Sequence, residues 1–290
     1  MQPLAELDME VGGVATRALE LEGDGPGLIL LHGWGDSADT WRPLLARLAR
    51  LGRRAIAVDL PGSGAASDLS PGAMLPQLDA FVAALIQMWS PPTRGREVVV
   101  VGNSLGGVTA LRLAERADLR LAGVVPVAPA GLDMPRWFDI VERDPLLRRL
   151  LDVGIPIPRA VAAAAVGQIS RRLAFSAPRA ADPDAVRTYA AYHASREGLQ
   201  RLLASGRRLL PELASPPFDF AAIACPVMLV WGTRDHMVPH RGARVLTDAV
   251  PGTRLELIEG CGHCPQLEAP AVLLELLAGF PAPTGLAAAA

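Results

Sequence analysis

The stretch that most constrains this chain is Val98-Val99-Val100-Val101-Gly102-Asn103-Ser104-Leu105-Gly106-Gly107. Four consecutive valines read as a strand buried on both faces, as in the middle of a parallel sheet. The run breaks at Gly102-x-Ser104-x-Gly106 and turns helical, with Val108, Leu111, Leu113 and Ala114 apolar and Arg112, Glu115 and Arg116 between them. Strand, tight turn, helix is the setting in which G-x-S-x-G forms a nucleophile elbow. Glycines flank the serine because side chains there would collide with the strand and helix being joined. The turn lifts the Ser104 hydroxyl off the sheet. It also aims the Leu105 N–H, at the positive end of the new helix, towards a developing oxyanion. A plain Gly/Ser turn has the same five-residue pattern, so the rest of the chain has to discriminate.

Around this stretch strands and helices alternate, which predicts a parallel sheet with helices on both faces. Val14 to Leu21 alternates loosely and suits an antiparallel edge strand. Strands follow at 27–31, 55–58 and 122–128, with helices over 40–51 and 74–89. The alternation then stops. From about 129 to 217 only helical segments separated by prolines are found (136–151, 159–174, 184–208), a block read as a helical cap over one end of the sheet. Strand periodicity returns at 225–232 and 254–258, with a helix near 241–249 between them and a closing helix to about Phe280. The expected organisation is a core of 1–128 and 218–280, a cap of 129–217 and a frayed tail of 281–290.

Composition narrows the function classes. The 290 residues are 50% hydrophobic, ample for one large α/β domain, yet no apolar run reaches the roughly 18 residues of a membrane span. The start, Met1 to Asp8, is acidic and polar, without the regions of a signal peptide. Three cysteines, an odd number, suit a reducing cytoplasm rather than a disulfide framework. The net charge of −2 is spread evenly, so nothing points to nucleic acid. The expected partner is a small-molecule substrate; oligomeric state is not legible.

A serine hydroxyl needs an adjacent base that a third group orients. Asp235 follows the strand at 225–232 and His263 follows the last strand, so with Ser104 all three sit at carboxyl ends of strands, at one edge of a parallel sheet. The order Ser…Asp…His suits this architecture. His263 would take the Ser104 proton and return it to the leaving group, and Asp235 would set the imidazole tautomer. Asp133, after the preceding strand, is a rival for the acid. Cys261-Gly262-His263-Cys264 invites a metal reading, but the only other cysteine is Cys225 inside a strand, so no metal and no cofactor are expected. The two thiols beside the base predict sensitivity to thiol reagents. His236 and His240 are expected to be exposed, and His193 to face either pocket or solvent.

With these residues in place, the chain from about Gly27 to Phe280 resembles the α/β-hydrolase fold superfamily, in its capped serine-hydrolase form. The resemblance implies a mostly parallel eight-stranded sheet with an inserted helical cap. His32-Gly33-Trp34-Gly35 is similar to that family's oxyanion loop, which makes the Trp34 N–H the second donor beside the Leu105 N–H, with His32 and Gly33 supporting the loop. Asp59-Leu60-Pro61-Gly62-Ser63-Gly64 resembles the family's D-x-x-G-x-G turn, with Ser63 where an aromatic or histidine is common, and reads as structural. Trp231-Gly232-x-x-Asp235 and Gly262-His263 match the acid and base segments.

A serine rather than an aspartate at the elbow argues against the dehalogenase and epoxide-hydrolase branches. Acyl transfer to water from a small apolar ester or related acyl compound is the leading expectation. The elbow also resembles that of carbon–carbon bond hydrolases acting on ring-fission products of aromatic degradation, which stays as the alternative. Those enzymes usually carry an aromatic after the histidine and a Gly-Pro-Gly oxyanion loop, where this chain has Cys264-Pro265 and Gly33-Trp34-Gly35. The second function class is a ligand-binding protein on an inactive hydrolase scaffold, which loss of a triad residue would favour; here all three are present.

Overall fold

The computed structural model describes residues 2–90, 97–133, 158–179, 181–215 and 217–280. Eight strands form one sheet: β1 (Ala5–Val11), β2 (Val14–Leu21), β3 (Asp24–Leu31), β4 (Arg53–Val58), β5 (Val98–Asn103), β6 (Leu121–Val127), β7 (Met228–Gly232) and β8 (Arg254–Ile258). Their order is β1-β2-β4-β3-β5-β6-β7-β8. β1 and β2 are antiparallel and the other six run parallel, with Leu31 opposite Gly102 and Gly102 opposite Pro126. This register brings the loops after β3, β5 and β6 to one edge.

The valine strand is buried along its whole length. Its side chains alternate between two cores, as the pleat requires. Val98 and Val100 pack with Leu78 and Phe81 of α2 (Leu75–Trp89) and Leu111 of α3 (Leu105–Ala114). Val99 and Val101 pack on the other face with Leu44 and Leu48 of α1 (Arg42–Arg50) and with Leu273 and Leu277, near the C-terminus. Each such side chain contributes roughly 1.5–3 kcal/mol when fully buried, so four in a row are satisfied only where both faces of a sheet are covered.

Between β6 and β7 the described elements are helical: α4 (Arg159–Ala174), α5 (Pro183–Tyr192) and α6 (Arg196–Ala214). The expected helix over 136–151 and the expected tail at 281–290 lie outside the described residues. The chain closes with α7 (Ala243–Ala249), α8 (Pro265–Glu268) and α9 (Pro270–Ala278).

Two expectations need correction. Val14–Leu21 is antiparallel but not at the edge, because Ala5–Val11 pairs outside it. That outer strand does alternate, apolar at Ala5, Leu7, Met9 and Val11 with acids between them, but only Val11 of it is buried, and reading the start as merely acidic and polar passed the alternation over. The segment 184–208 is not one helix. It breaks after Tyr192, and Ser195 caps the next helix by accepting from the Gly198 N–H at 2.9 Å.

Candidate active site

Ser104 stands between β5 and α3 with φ +53°, a left-handed conformation in a residue that has a side chain. Its N–H donates to Val127 O at 2.9 Å, which pins the turn to the neighbouring strand. Gly102 and Gly106 are obligatory for space. A Cβ on Gly102 would run into the backbone of Gly106, and one on Gly106 into the carbonyl of Leu31.

Asp235 follows β7, and both of its carboxylate oxygens are held. Oδ1 accepts from the N–H groups of Met237 and Val238 at 2.8 Å each, and Oδ2 from Trp231 Nε1 at 3.1 Å. Oδ2 also meets His263 Nδ1 at 2.7 Å. A carboxylate fixed by three donors that themselves belong to the protein can only receive the imidazole with its proton on Nδ1, which turns Nε2 into the free base. His263 Nε2 is buried and has no hydrogen-bond partner among the described residues. Asp133 is elsewhere, paired with Arg241.

The histidine loop is braced from three sides. His263 N–H donates to Ala174 O at 2.9 Å at the end of α4, and the His263 carbonyl accepts from Asn103 Nδ2 at 2.9 Å. The Glu268 carboxylate takes the N–H of Gly262 at 2.9 Å and the hydroxyl of Ser176 at 2.5 Å. Asn103 also accepts from Gln266 Nε2 at 3.1 Å. Sequence reasoning passed over Asn103, Gln266 and Glu268, whose partners become visible only in three dimensions.

The loop after β3 passes directly over the serine, and a Cβ on Gly33 would lie 3.3 Å from the Ser104 Cβ. Gly33-Trp34-Gly35-Asp36 is a turn closed by the Asp36 N–H on Gly33 O at 3.2 Å, with Gly35 at φ +69°. His32 holds this turn. Its Nε2 accepts from the Leu60 N–H at 2.8 Å, which leaves the proton on Nδ1 to be donated to Gly33 O at 2.7 Å. The Asp59 carboxylate, fully buried, ties the same region together through the N–H groups of Ala38 and Ala65 at 2.7 and 2.8 Å and through Arg17 Nε at 3.1 Å.

Ser104, Leu105, Gly33, Trp34 and His263 line one cavity of about 1280 Å³; Asp235 lies behind the histidine. The helices between β6 and β7 supply its apolar wall, including Leu173, Leu199, Leu202 and Leu213. Burial pushes up the Asp36 carboxyl and the Tyr189 hydroxyl on this wall. His236 is exposed as expected, His240 is half-buried, and His193 is buried. The thiols beside the base, expected to be sensitive to thiol reagents, are shielded. Cys261 and Cys264 are both buried, and burial pushes Cys261 up to about 12 and Cys264 well above the usual thiol range. Among the described residues no group of three or more His, Cys, Asp or Glu side chains could hold a metal ion.

The alpha/beta hydrolase family model matches residues 28–276, a span holding the sheet from β3 onward together with the elbow, acid and histidine loops. The chain belongs to that family. A Mycobacterium tuberculosis protein described as uncharacterized is 29% identical over 282 residues, covering 91% of this chain and 77% of its own length. A pimeloyl-(acyl-carrier protein) methyl ester esterase of Xanthomonas oryzae is 30% identical over 255 residues, covering 86% of this chain and 92% of the esterase. Among solved structures, the 2-hydroxy-6-oxo-6-phenylhexa-2,4-dienoate hydrolase of a Rhodococcus strain superposes with a TM-score of 0.72 at 21% identity, covering 96% of this chain and 98% of that one. At that identity the likeness concerns the fold. The eight-stranded, mostly parallel sheet with its helical layers is the architecture that the resemblance to this hydrolase family implied.

Proposed function

We propose that this hydrolase cleaves carboxylic esters with an apolar acyl or alcohol part, through an acyl-enzyme on Ser104. The observation that carries the reading is the 2.7 Å contact of His263 Nδ1 with Asp235 Oδ2, which leaves Nε2 bare beside the cavity that Ser104 lines. In the first half-reaction Ser104 Oγ bonds to the ester carbonyl carbon as its proton passes to His263 Nε2. The carbonyl electron pair moves onto oxygen, where the N–H groups of Leu105 and Trp34 receive it. As the carbonyl reforms, the bond to the alcohol oxygen breaks and His263 returns the proton to the departing alkoxide. Water then enters, gives its proton to His263 and displaces the acyl group from Ser104 by the same steps.

In this reading segment 129–217 acts as a cap that supplies the apolar wall. Pockets for drug-sized ligands usually measure roughly 300–1,000 Å³, so a cavity of about 1280 Å³ leaves room for an extended acyl chain. Of the three arginines at its wall, Arg17, Arg42 and Arg207, the first two are engaged with Glu6 and Asp39, and Arg17 also with Asp59. Arg17 and Arg42 are therefore not open receptors for the carboxylate of a ring-fission dienone. No described helix is long and apolar enough to cross a membrane.

A fluorophosphonate probe, which loses fluoride as Ser104 Oγ bonds to phosphorus, should label the wild-type protein and leave Ser104→Ala unlabelled. A series of p-nitrophenyl esters of rising chain length, run beside a ring-fission dienone, tests the substrate class. Turnover of the dienone and none of the esters would replace the esterase reading with carbon–carbon hydrolysis. No labelling of the wild-type protein would leave a ligand-binding protein on a hydrolase scaffold.

A further inference from the structure

The turn over Ser104 is gripped at both ends by histidines, one from the sheet and one from the helical segment. His32 Nδ1–H holds Gly33 O from the core side, as described above. On the opposite side His193 Nε2 lies 2.6 Å from Gly35 O. A carbonyl oxygen can only accept, so His193 carries its proton on Nε2. Burial pulls its pKa below the ordinary histidine value. The grip is reinforced by a neighbouring contact. Trp34 Nε1 donates to Ser205 Oγ of α6 at 2.9 Å, and Gly206 provides the room for the Trp34 ring, which a Cβ there would crowd at 2.8 Å.

The backbone at Gly35 leaves no slack for this contact. With φ +69° it needs glycine, and a Cβ would press on His193 Nε2 and the Tyr189 hydroxyl at 3.3 Å each. Trp34 lies between the two clamped carbonyls, so the direction of its N–H is set by how both are held. His193 occupies the break between α5 and α6, where the chain reverses and a ring can point inward rather than along a helix face. Its edge-on packing against Tyr189, with ring centroids 5.0 Å apart, fixes the ring plane.

We propose that His193 is a positioning residue for hydrolysis: by donating to Gly35 O it aims the Trp34 N–H at the oxyanion, so that the helical segment completes the oxyanion hole. This rests on the esterase reading above. It assigns the segment between β6 and β7 a part in the chemical step, beyond lining the cavity.

The test compares wild-type enzyme with His193→Phe, which keeps a flat ring against Tyr189 but has no donor, and with His193→Gln, whose amide nitrogen can stand where Nε2 stood. Each is assayed on p-nitrophenyl butyrate. Each is also inhibited by an alkyl trifluoromethyl ketone, which forms a tetrahedral oxyanion on Ser104, and by the corresponding secondary alcohol, which forms none. The Phe variant should lose about 10- to 100-fold in kcat, the range expected when a catalytic group is misplaced by about an ångström, with KM little changed. Its inhibition by the ketone should weaken by a similar factor while inhibition by the alcohol holds, and the Gln variant should recover most of the loss. Should the Phe variant not fold, His193→Met also lacks the donor and is judged by the same measurements. Unchanged kcat and ketone inhibition in the donor-less variant would overturn the proposal, and so would equal weakening by ketone and alcohol or failure of Gln to rescue. Wild-type enzyme that neither turns over the ester nor takes the fluorophosphonate removes the esterase reading itself. Active, labelled wild type with an indifferent Phe variant removes only the role of His193.

Discussion

Asn103 and His263 are joined by a hydrogen bond from the Asn103 side-chain amide to the His263 carbonyl at 2.9 Å, across 160 positions of sequence. The residue next to the serine therefore anchors the loop that carries the imidazole. Its amide is buried, with Gln266 on its oxygen side.

Removing that amide should cost both stability and turnover. Asn103→Leu leaves the His263 carbonyl and the Gln266 amide without this partner, at a price of about 1–3 kcal/mol for each buried group left unsatisfied. We expect a lower thermal midpoint by calorimetry. We also expect kcat on p-nitrophenyl butyrate to fall more than KM rises, because the base is displaced rather than the binding wall. A variant with wild-type kcat would mean that the histidine loop holds its position without Asn103.

The two candidate acids separate cleanly. Asp235→Asn keeps the shape but offers His263 Nδ1 the wrong hydrogen-bond partner, and a substitution of this kind costs about 10⁴ in kcat. Asp133→Asn disturbs only a pair with Arg241 at the surface, so activity should stay within a few-fold. Steady-state kinetics on one ester decides between them, and the reverse ranking would refute the assignment.

Strain at the elbow should be measurable as stability. Ser104 holds φ +53°, a conformation that costs roughly 1–3 kcal/mol for a residue with a Cβ. Ser104→Gly should abolish fluorophosphonate labelling and raise resistance to urea, whereas Gly102→Ala, which drives a Cβ into Gly106, should sharply lower it. Equal urea midpoints for wild type and Ser104→Gly would show that the turn is relaxed.

Asp36 gives a pH signature. Burial raises its carboxyl in the folded state, so the fold binds a proton more tightly there than the unfolded chain does. Its contribution is most favourable below the unfolded carboxyl range and is lost as pH rises through the raised value. Asp36→Asn, which cannot ionise, should therefore melt higher than wild type near neutral pH, by roughly a few degrees. The gap should close towards pH 4. Identical melting points across that range would argue that the carboxylate is well solvated.

The thiols should be quiet. With Cys261 pushed up to about 12 and Cys264 buried beside the base, native enzyme treated with iodoacetamide at pH 8 should retain its activity. Mass spectrometry should find carboxyamidomethylation at these two sites only after unfolding. Rapid loss of activity with modification at Cys264 would mean that the loop opens far more than its bracing suggests.

What the sequence by itself determined was local and periodic. Four valines demand a strand covered on two faces, and glycines on either side of Ser104 demand a sharp turn. The acid and the histidine after later strands then had to arrive at the same edge, because parallel strands point the same way. Only the tertiary structure decided what depends on pairs far apart in the chain. It set Asp235 rather than Asp133 against the His263 imidazole, placed β1 outside β2 at the edge of the sheet, and buried the thiols. It also brought His193 to Gly35 across 158 positions and Ser205 to Trp34 across 171. A hydrogen bond between distant residues leaves no spacing in either segment, since its geometry belongs to the packed whole.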